Sequence, residues 1–272
     1  MANPVFLYEN PLELATLTAF NFAEDTANPL ARQIDRDPTR LTLVGAAAGP
    51  TWNTSVELRF LLPTGGMPFT ATHLYVPAGH NLNLADTIEL ESSIFGFGTS
   101  PQQNLNAVAV SAGALMLTLD ITLTGAARRW IWLTINDADR ATSQVVYQLG
   151  ELFVSRQIQV ASAIGIDPEW EHDRVPNLRV TESDTGLPRV VKRGEIRRTM
   201  RYRWNGVPSA DRDTLLTLQQ NAGSYVGFPM LPAGEAAPVF VRLVDVSGPR
   251  QAHPNPSVAE EHDLEVRLIE AL

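Results

Sequence analysis

Cysteine is absent from the chain. Disulfides, thiol catalysis and thiolate metal sites are therefore excluded, and the absence fits assembly in a reducing cytoplasm. Histidine is scarce: five occur, His73, His80, His172, His253 and His262, widely separated in sequence. No apolar run approaches the roughly 20 residues that span a bilayer, so no membrane insertion is expected. The start, Met1-Ala2-Asn3-Pro4, has no basic segment leading into an apolar core, and no signal peptide is expected. Basic side chains are outnumbered, 21 against 30 acidic, for a formal net charge of -9. That balance argues against a general nucleic-acid coat without excluding a local basic patch.

What is present is a chain of 272 residues with 44% hydrophobic and 19% charged side chains. It can build cores and is not globally disordered. Proline (19) and glycine (18) recur throughout and interrupt short apolar runs, as turns do in all-β folds. Val56 to Leu62 opens with alternation and stops at Pro63; Thr72 to Val76 stops at Pro77. Period-two alternation suits a strand with one buried face. Ala107 to Thr124 predicts two strands broken at Gly113-Ala114. Arg129 to Ile135 predicts another strand, and Tyr147 to Val154 one more.

The character changes near residues 158–165. Asp173 to Pro188 is polar, carries Pro176, Gly186 and Pro188, and is expected to be a linker or long loop. In Arg189 to Trp204, one strand face takes Ile196, Met200, Tyr202 and Trp204, with Arg198 as the exception. A short helix is expected from Asp211 to Ala222, capped by Ser209 or Asp211 and ended by Gly223, with Leu215, Leu218 and Ala222 as its apolar stripe. Val239 to Val246 and Leu264 to Leu268 predict two further strands, with a loop at Gly248 to Pro256 between them. The expected fold is mainly β: an N-terminal β-sandwich over residues 1–158, then a second β-rich domain with one short helix over 159–272. Regular strand–helix alternation is missing.

Four segments carry a family resemblance: Asn28 to Thr39, Pro77 to Leu82, Ala127 to Ile135, and Tyr147 to Val154. In this order and spacing they resemble tailed-phage proteins with a discoidin-like N-terminal domain, which implies that the sandwich of residues 1–158 is a jelly-roll β-sandwich. Residues 150–272 resemble the accompanying β domain of baseplate or distal-tail proteins. The resemblance implies a structural component of a phage tail tip, distal tail or baseplate, acting through protein–protein interfaces. Its implied partners are copies of itself and other tail or baseplate proteins. Its implied location is the virion tail, after assembly in the host cytoplasm. A carbohydrate-binding ancestry is also known for the fold, and a glycan-binding module for host attachment is the alternative. No sugar site is carried over, because Arg40-Leu41-Thr42 follows Thr39 where the family's usual tryptophan would stand.

No catalytic residue, cofactor or metal ligand is assigned, and no enzyme is expected. His80-Asn81 beside Gly79 reads first as a turn and second as a ligand contact. His73 has no nameable nucleophile or carboxylate partner. Asp35, Asp37, Asp137 and Asp139 invite a calcium reading, yet Asn136-Asp137-Ala138-Asp139 lacks the glycine and glutamate of an EF-hand loop. An ordinary Asx turn is preferred. Arg189, Lys192, Arg193, Arg197, Arg198, Arg201 and Arg203 form the sharpest charge cluster. It reads as a protein interface before a solvated face, and a nucleic-acid partner is not expected. Trp130 and Trp132 share one strand face, opposite Arg129, Ile131 and Leu133; core packing is weighed ahead of an intersubunit contact and a glycan platform. The candidate interface residues are thus Arg197, Arg201, Arg203, Trp130 and Trp132.

Overall fold

A computed structural model of the chain describes residues 3–20, 29, 31, 42–45, 55–82, 86–108, 113–125, 127–136, 146–160, 171–175, 178–182, 188–192, 197–222, 226–251 and 261–271. Internal contacts divide the chain into two units. One comprises Val5–Ile158 with Pro229–Val239; the other comprises Met1–Pro4, Gln159–Phe228 and Phe240–Leu272.

The first unit is a jelly-roll β-sandwich. Its strands are β1 (Val5–Phe6), β2 (Thr16–Ala19), β3 (Thr42–Gly45), β4 (Ser55–Leu61), β5 (Ala71–Val76), β6 (Thr87–Ser93), β7 (Gln102–Val108), β8 (Leu115–Leu123), β9 (Trp130–Asn136), β10 (Val146–Leu149) and β11 (Phe153–Ser155), with a 3-10 turn at Pro11–Leu14. Strands β2 to β11 form a five-stranded sheet, β2-β4-β9-β6-β7, a three-stranded sheet, β11-β5-β8, and the pair β10-β3, while β1 pairs with β16 (Gly227–Leu231). The pairings within these sheets are antiparallel.

Alternation explains the layering. On β4, Val56, Leu58 and Phe60 are buried while Glu57 and Arg59 are not. They meet Ile131, Leu133 and Ile135 of β9, Ile88 and Leu90 of β6, and Leu74 and Val76 of β5 in one core. Each large apolar side chain buried this way contributes about 1.5–3 kcal/mol relative to exposure. The 3-10 turn is held by Asn10, whose Oδ1 accepts from the Leu12 and Val154 amides, both at 3.3 Å, while its Nδ2 donates to the Leu152 carbonyl at 2.8 Å.

The expected strands at Val56–Leu62, Thr72–Val76 and Arg129–Ile135 are β4, β5 and β9, and the break at Gly113-Ala114 separates β7 from β8. The run Tyr147–Val154, expected as one strand, is two: β10 pairs with β3 and β11 with β5. Gly150-Glu151-Leu152 between them lets the chain change sheets.

The second unit contains β12 (Glu171–Val175), β13 (Leu178–Glu182), β14 (Pro188–Lys192), β15 (Arg197–Pro208), α1 (Ser209–Ala222), the start of β16 (Gly227–Leu231), most of β17 (Val239–Gln251) and β18 (Glu261–Glu270). The strands run in the order β17-β18-β15-β12, and β13-β14 form a separate hairpin. Met200, Tyr202 and Trp204 of β15 are buried, with Leu264, Val266 and Leu268 of β18 beside them. The helix turns Leu215, Leu218 and Ala222 inward. The Trp204 indole N–H donates to Asn3 Oδ1 at 3.1 Å, and Asn3 Nδ2 donates to the Val160 carbonyl at 3.1 Å. Between Trp204 and Val207 the β15–β18 register shifts, and Gly206 there has φ 74°, a conformation that favours glycine. The segment Asp173–Pro188, expected as a linker, instead supplies the end of β12 and all of β13. Its strands pair through backbone groups despite their polarity, with Leu178 opposite Lys192 and Asp173 opposite Thr199. Of the expected loop at Gly248–Pro256, Gly248–Gln251 belong to β17, and 252–256 lie outside the described residues.

Candidate functional site

The five-stranded sheet turns its second face away from the core. Register aligns Thr18, Arg59, Trp132, Glu91 and Gln103 in one row across β2, β4, β9, β6 and β7. In β4, β9 and β6 these positions alternate with the core residues Leu58, Leu133 and Leu90, so the Arg59, Trp132 and Glu91 side chains share the outer face.

These outer side chains are ordered by one another. The Trp132 indole N–H donates to Glu91 Oε2 at 2.6 Å, and Arg59 Nε donates to Glu57 Oε1 at 2.6 Å. The Arg59 guanidinium carbon lies 3.3 Å from the Phe20 ring centroid and 5.0 Å from that of Phe97. Phe97 meets Trp132 edge-on, with centroids 6.1 Å apart at 73°. The array is therefore a stack of aromatic rings and a guanidinium, with carboxylates at its sides. Guanidinium–ring and ring–ring contacts of this kind each contribute about 0.5–1.5 kcal/mol.

The β6–β7 loop adds the exposed apolar part. In this loop Phe95 is 66% exposed and Ile94 42%; Phe20, directly after β2, is 56% exposed. The loop is pinned at its roots. Ser93 Oγ donates to the Thr99 carbonyl at 2.5 Å and accepts from the Phe95 amide at 3.1 Å, and the Thr99 amide donates to the Gly96 carbonyl. Beneath it, Ser92 Oγ donates to Asn104 Oδ1 at 2.6 Å and accepts from Arg128 at 3.2 Å, while Asn104 Nδ2 donates to the Ile121 carbonyl at 3.0 Å. Ser92 and Asn104 are fully buried. Ser100 is held at φ 44°, a conformation costly for a side chain other than glycine. The loop thus holds Ile94 and Phe95 in solvent, and contiguous exposed apolar surface is one mark of an interaction site.

Trp130 and Trp132 occupy one strand face, opposite Ile131 and Leu133. The core is filled by Ile131, Leu133 and Ile135, so the tryptophans do not supply it. Trp132 is nearly covered, at 3% exposure, and its N–H finds a carboxylate on the outer face. Trp130 is half-buried, with the Arg129 guanidinium carbon 5.6 Å from its ring centroid.

Arg197, Arg201 and Arg203 belong to the second unit and are half-buried. Arg201 pairs with Glu265 at 2.7 Å, and Arg267 pairs with the same carboxylate at 2.6 Å. The Arg201 bond foremost, with Arg267 adding to it, holds the Glu265 carboxyl below its ordinary range despite the opposing effect of burial. Arg198 reaches Glu270 at 3.4 Å. The arginines and the tryptophans thus lie in separate units.

His80 is a turn clamp. Gly79 has φ 89°, the His80 Nε2–H donates to the Gly113 carbonyl at 2.8 Å, and His80 Nδ1 accepts from the Leu82 amide at 3.3 Å. Asn81 Oδ1 accepts from the Gln148 amide at 2.7 Å. Burial pushes the His80 pKa down, with the Gly113 bond opposing; burial likewise lowers His73, which sits between Thr72 Oγ1 and Thr118 Oγ1. The calcium candidates Asp35, Asp37, Asp137 and Asp139, as well as Trp52, Trp170, Arg193 and His253, lie outside the described residues. Among the described residues no three His, Cys, Asp or Glu side chains gather to hold a metal ion, and no helix is long and apolar enough to cross a membrane.

No family model and no curated protein matches the chain. Solved structures do. One is a carbohydrate-binding module from Clostridium perfringens in complex with GalNAc-β-1,3-galactose, at 14% identity, covering 53% of this chain and 97% of that one, with a TM-score of 0.39. A chitosan-binding module from a Paenibacillus chitosanase/glucanase shares 16% identity over 53% of this chain and 97% of its own, also at 0.39. The family 32 carbohydrate-binding module of C. perfringens NanJ, in complex with galactose, shares 14% identity over 55% and 98%, at 0.37. The solved structures found are carbohydrate-binding modules and not phage tail proteins, which corrects the expectation of a phage tail or baseplate component and of a virion location. Of the segments that suggested a tail protein, Pro77–Leu82, Ala127–Ile135 and Tyr147–Val154 are strands and turns of a jelly roll, a fold on which many functions are built, and most of Asn28–Thr39 lies outside the described residues.

Proposed function

We propose that the sandwich unit is a noncatalytic glycan-binding module whose binding surface is the outer face of its five-stranded sheet together with the β6–β7 loop. The observation that carries this is the pinned loop holding Phe95 in solvent beside an ordered Phe97–Trp132–Arg59–Phe20 array. Sugar rings present C–H faces and equatorial hydroxyls. Exposed aromatic rings take the first, while carboxylates accept from and guanidiniums donate to the second. Glu57, Glu91 and Arg59 supply those polar groups already held in place, so little side-chain ordering accompanies binding.

The test is a glycan array with the full chain, repeated with Phe95→Ala and Trp130→Ala. Phe95 has about two-thirds of its surface in water. A sugar covering half of that removes about 65 Å² from solvent, for a side chain of about 200 Å². At about 25 cal/mol per Å² this contributes about 1.6 kcal/mol, a roughly 15-fold change in affinity. F95A is expected to lose binding by about that factor at an unchanged melting temperature. Binding to no glycan, or binding indifferent to F95A, refutes the assignment.

A further inference from the structure

Asn205-Gly206 is the only Asn-Gly pair in the chain, and Asp-Gly does not occur. The pair stands where β15 departs from its ladder. Trp204 lies opposite Leu264 and Val207 opposite His262, so two residues of β15 face Asp263 alone. On the other side of β15 the pairing with β12 stops at Arg201. A bulge of this kind disrupts the ladder locally and bends the strand. Gly206 takes φ 74° there, and Asn205 is exposed beside the buried Trp204.

An exposed asparagine followed by glycine can react with its own backbone. The amide nitrogen of the next residue, once it gives up its proton, attacks the side-chain carbonyl carbon and closes a five-membered ring. A Cβ on that next residue crowds the approach, and a regular sheet or helix holds the backbone in a geometry that keeps the two atoms apart. Gly206 has no Cβ, and the bulge relaxes the second constraint. Asn106 in β7 and Asn221 in the helix are exposed as well, but Ala107 and Ala222 follow them inside regular elements.

We propose that Asn205 is a self-modification site, converting to isoaspartate and aspartate without an enzyme and independently of glycan binding. The Gly206 nitrogen bonds to Asn205 Cγ, the Cγ–Nδ2 bond breaks, and Nδ2 leaves as ammonia, its third hydrogen balancing the proton lost by Gly206. Water then opens the cyclic imide. Addition at Cγ breaks the new bond and gives aspartate. Addition at the main-chain carbonyl carbon breaks the original peptide bond and gives isoaspartate, with the main chain routed through Cβ and Cγ. One water is consumed, one ammonia is released, and nothing is oxidised or reduced. The two products differ in effect. Aspartate adds one charge to a strand face that carries Arg203 as well as Asp263, a small change. Isoaspartate adds one methylene to the main chain between Trp204 and Val207, both fully buried. A close-packed core does not absorb that lengthening without moving one of the two side chains, so the isoaspartyl chain is the less stable product.

The experiment is incubation of the folded full chain in oxygen-18 water at pH 6 and at pH 8.5, then digestion in ordinary water and peptide mass mapping. Heavy oxygen marks only the sites converted before digestion. At pH 8.5 Asn205 is expected to take it up roughly 10-fold or more faster than Asn106 or Asn221, the factor that opening one main-chain hydrogen bond sets on a rate. It is also expected to convert faster than at pH 6, because the attacking nitrogen must lose its proton. An isoaspartyl-specific methyltransferase is expected to label the peptide that holds residue 205. Asn205→Gln, whose ring would need six members, is expected to stay unlabelled there. Asn205→Asp carries the charge without the lengthened main chain, and is expected to melt above the aged native chain. Uptake at Asn205 no faster than at Asn106 and Asn221, or equal at the two pH values, would overturn the self-modification. An aged chain that melts together with N205D would overturn its structural consequence.

Discussion

Asn104 is where loop geometry and stability meet, and its replacement separates the two protonation states of the side chain that would take its place. The Asn104 amide donates to the Ile121 carbonyl at 3.0 Å and its Oδ1 accepts from Ser92 at 2.6 Å, with no part of the side chain in water. Asn104→Ala deprives the buried carbonyl of that donor, at about 1–3 kcal/mol, and removes the Ser92 bond, worth about 1 kcal/mol. For a unit of this size each kcal/mol lowers the melting temperature by about 2–4 °C, so N104A is expected to melt about 10 °C lower. Asn104→Asp keeps the acceptor for Ser92 but turns a second oxygen toward the Ile121 carbonyl. Only the protonated carboxyl can donate there, so its folded-state pKa rises above the unfolded value of about 3.9. The sign follows: relative to the native chain, N104D is best tolerated below about pH 4. Its deficit grows as pH rises through the raised value, reaching a plateau by neutrality. Thermal melts of the three chains between pH 3.5 and 8 measure this. An N104A loss under about 0.5 kcal/mol, or an N104D deficit flat with pH, refutes the role given to this network.

Other outcomes are expected from the same geometry. His73 and His80 are both held below their ordinary 6.5 by burial; the folded state therefore favours their neutral forms. Their stabilisation is complete above pH 6.5 and falls as pH drops through the folded-state values, and His73→Gln/His80→Gln should flatten the acid limb of the melting curve between pH 6.5 and 5. Trp132→Phe removes the donor to Glu91 and should cost about 2 kcal/mol, read by denaturant unfolding. A Cβ on Gly227 would overlap the Phe240 ring; Gly227→Ala should cost about 1–3 kcal/mol by overpacking, and Phe240→Leu in the same chain should restore most of it.

Much of the fold is legible because alternation reports burial wherever one face of a sheet meets a core. Val56-Glu57-Leu58-Arg59-Phe60 and Leu264-Glu265-Val266-Arg267-Leu268 read directly as β4 and β18. Where burial does not drive pairing, the signal fails. β13 and β14 pair only with each other, and polar Leu178–Glu182 is indistinguishable by hydropathy from a linker. Strand β6, Thr-Ile-Glu-Leu-Glu-Ser-Ser, does alternate, but its small polar end obscures it. That end exists because Ser92 anchors the loop network.

The proposed binding surface is harder to read for a related reason. Aromatic residues signal a core, yet on β9 the tryptophans stand opposite the core and the aliphatic residues between them fill it. What distinguishes them is chemical: an indole N–H needs an acceptor, and Glu91 supplies one only on the outer face. The clearest local mark was Ile94-Phe95-Gly96-Phe97-Gly98, where large apolar side chains alternate with glycine. Such a segment cannot bury its side chains as a regular strand, so it signals apolar surface left for another molecule. Arg59 and Phe20 carry no such mark, since 38 residues between them separate β2 from β4 until pairing places Phe20 over the guanidinium. Sheet register, not sequence proximity, assembles this array, so a substitution that shifts the β2–β4 pairing by one residue would move Phe20 off Arg59 while the β4–β9 pairing keeps Arg59 opposite Trp132.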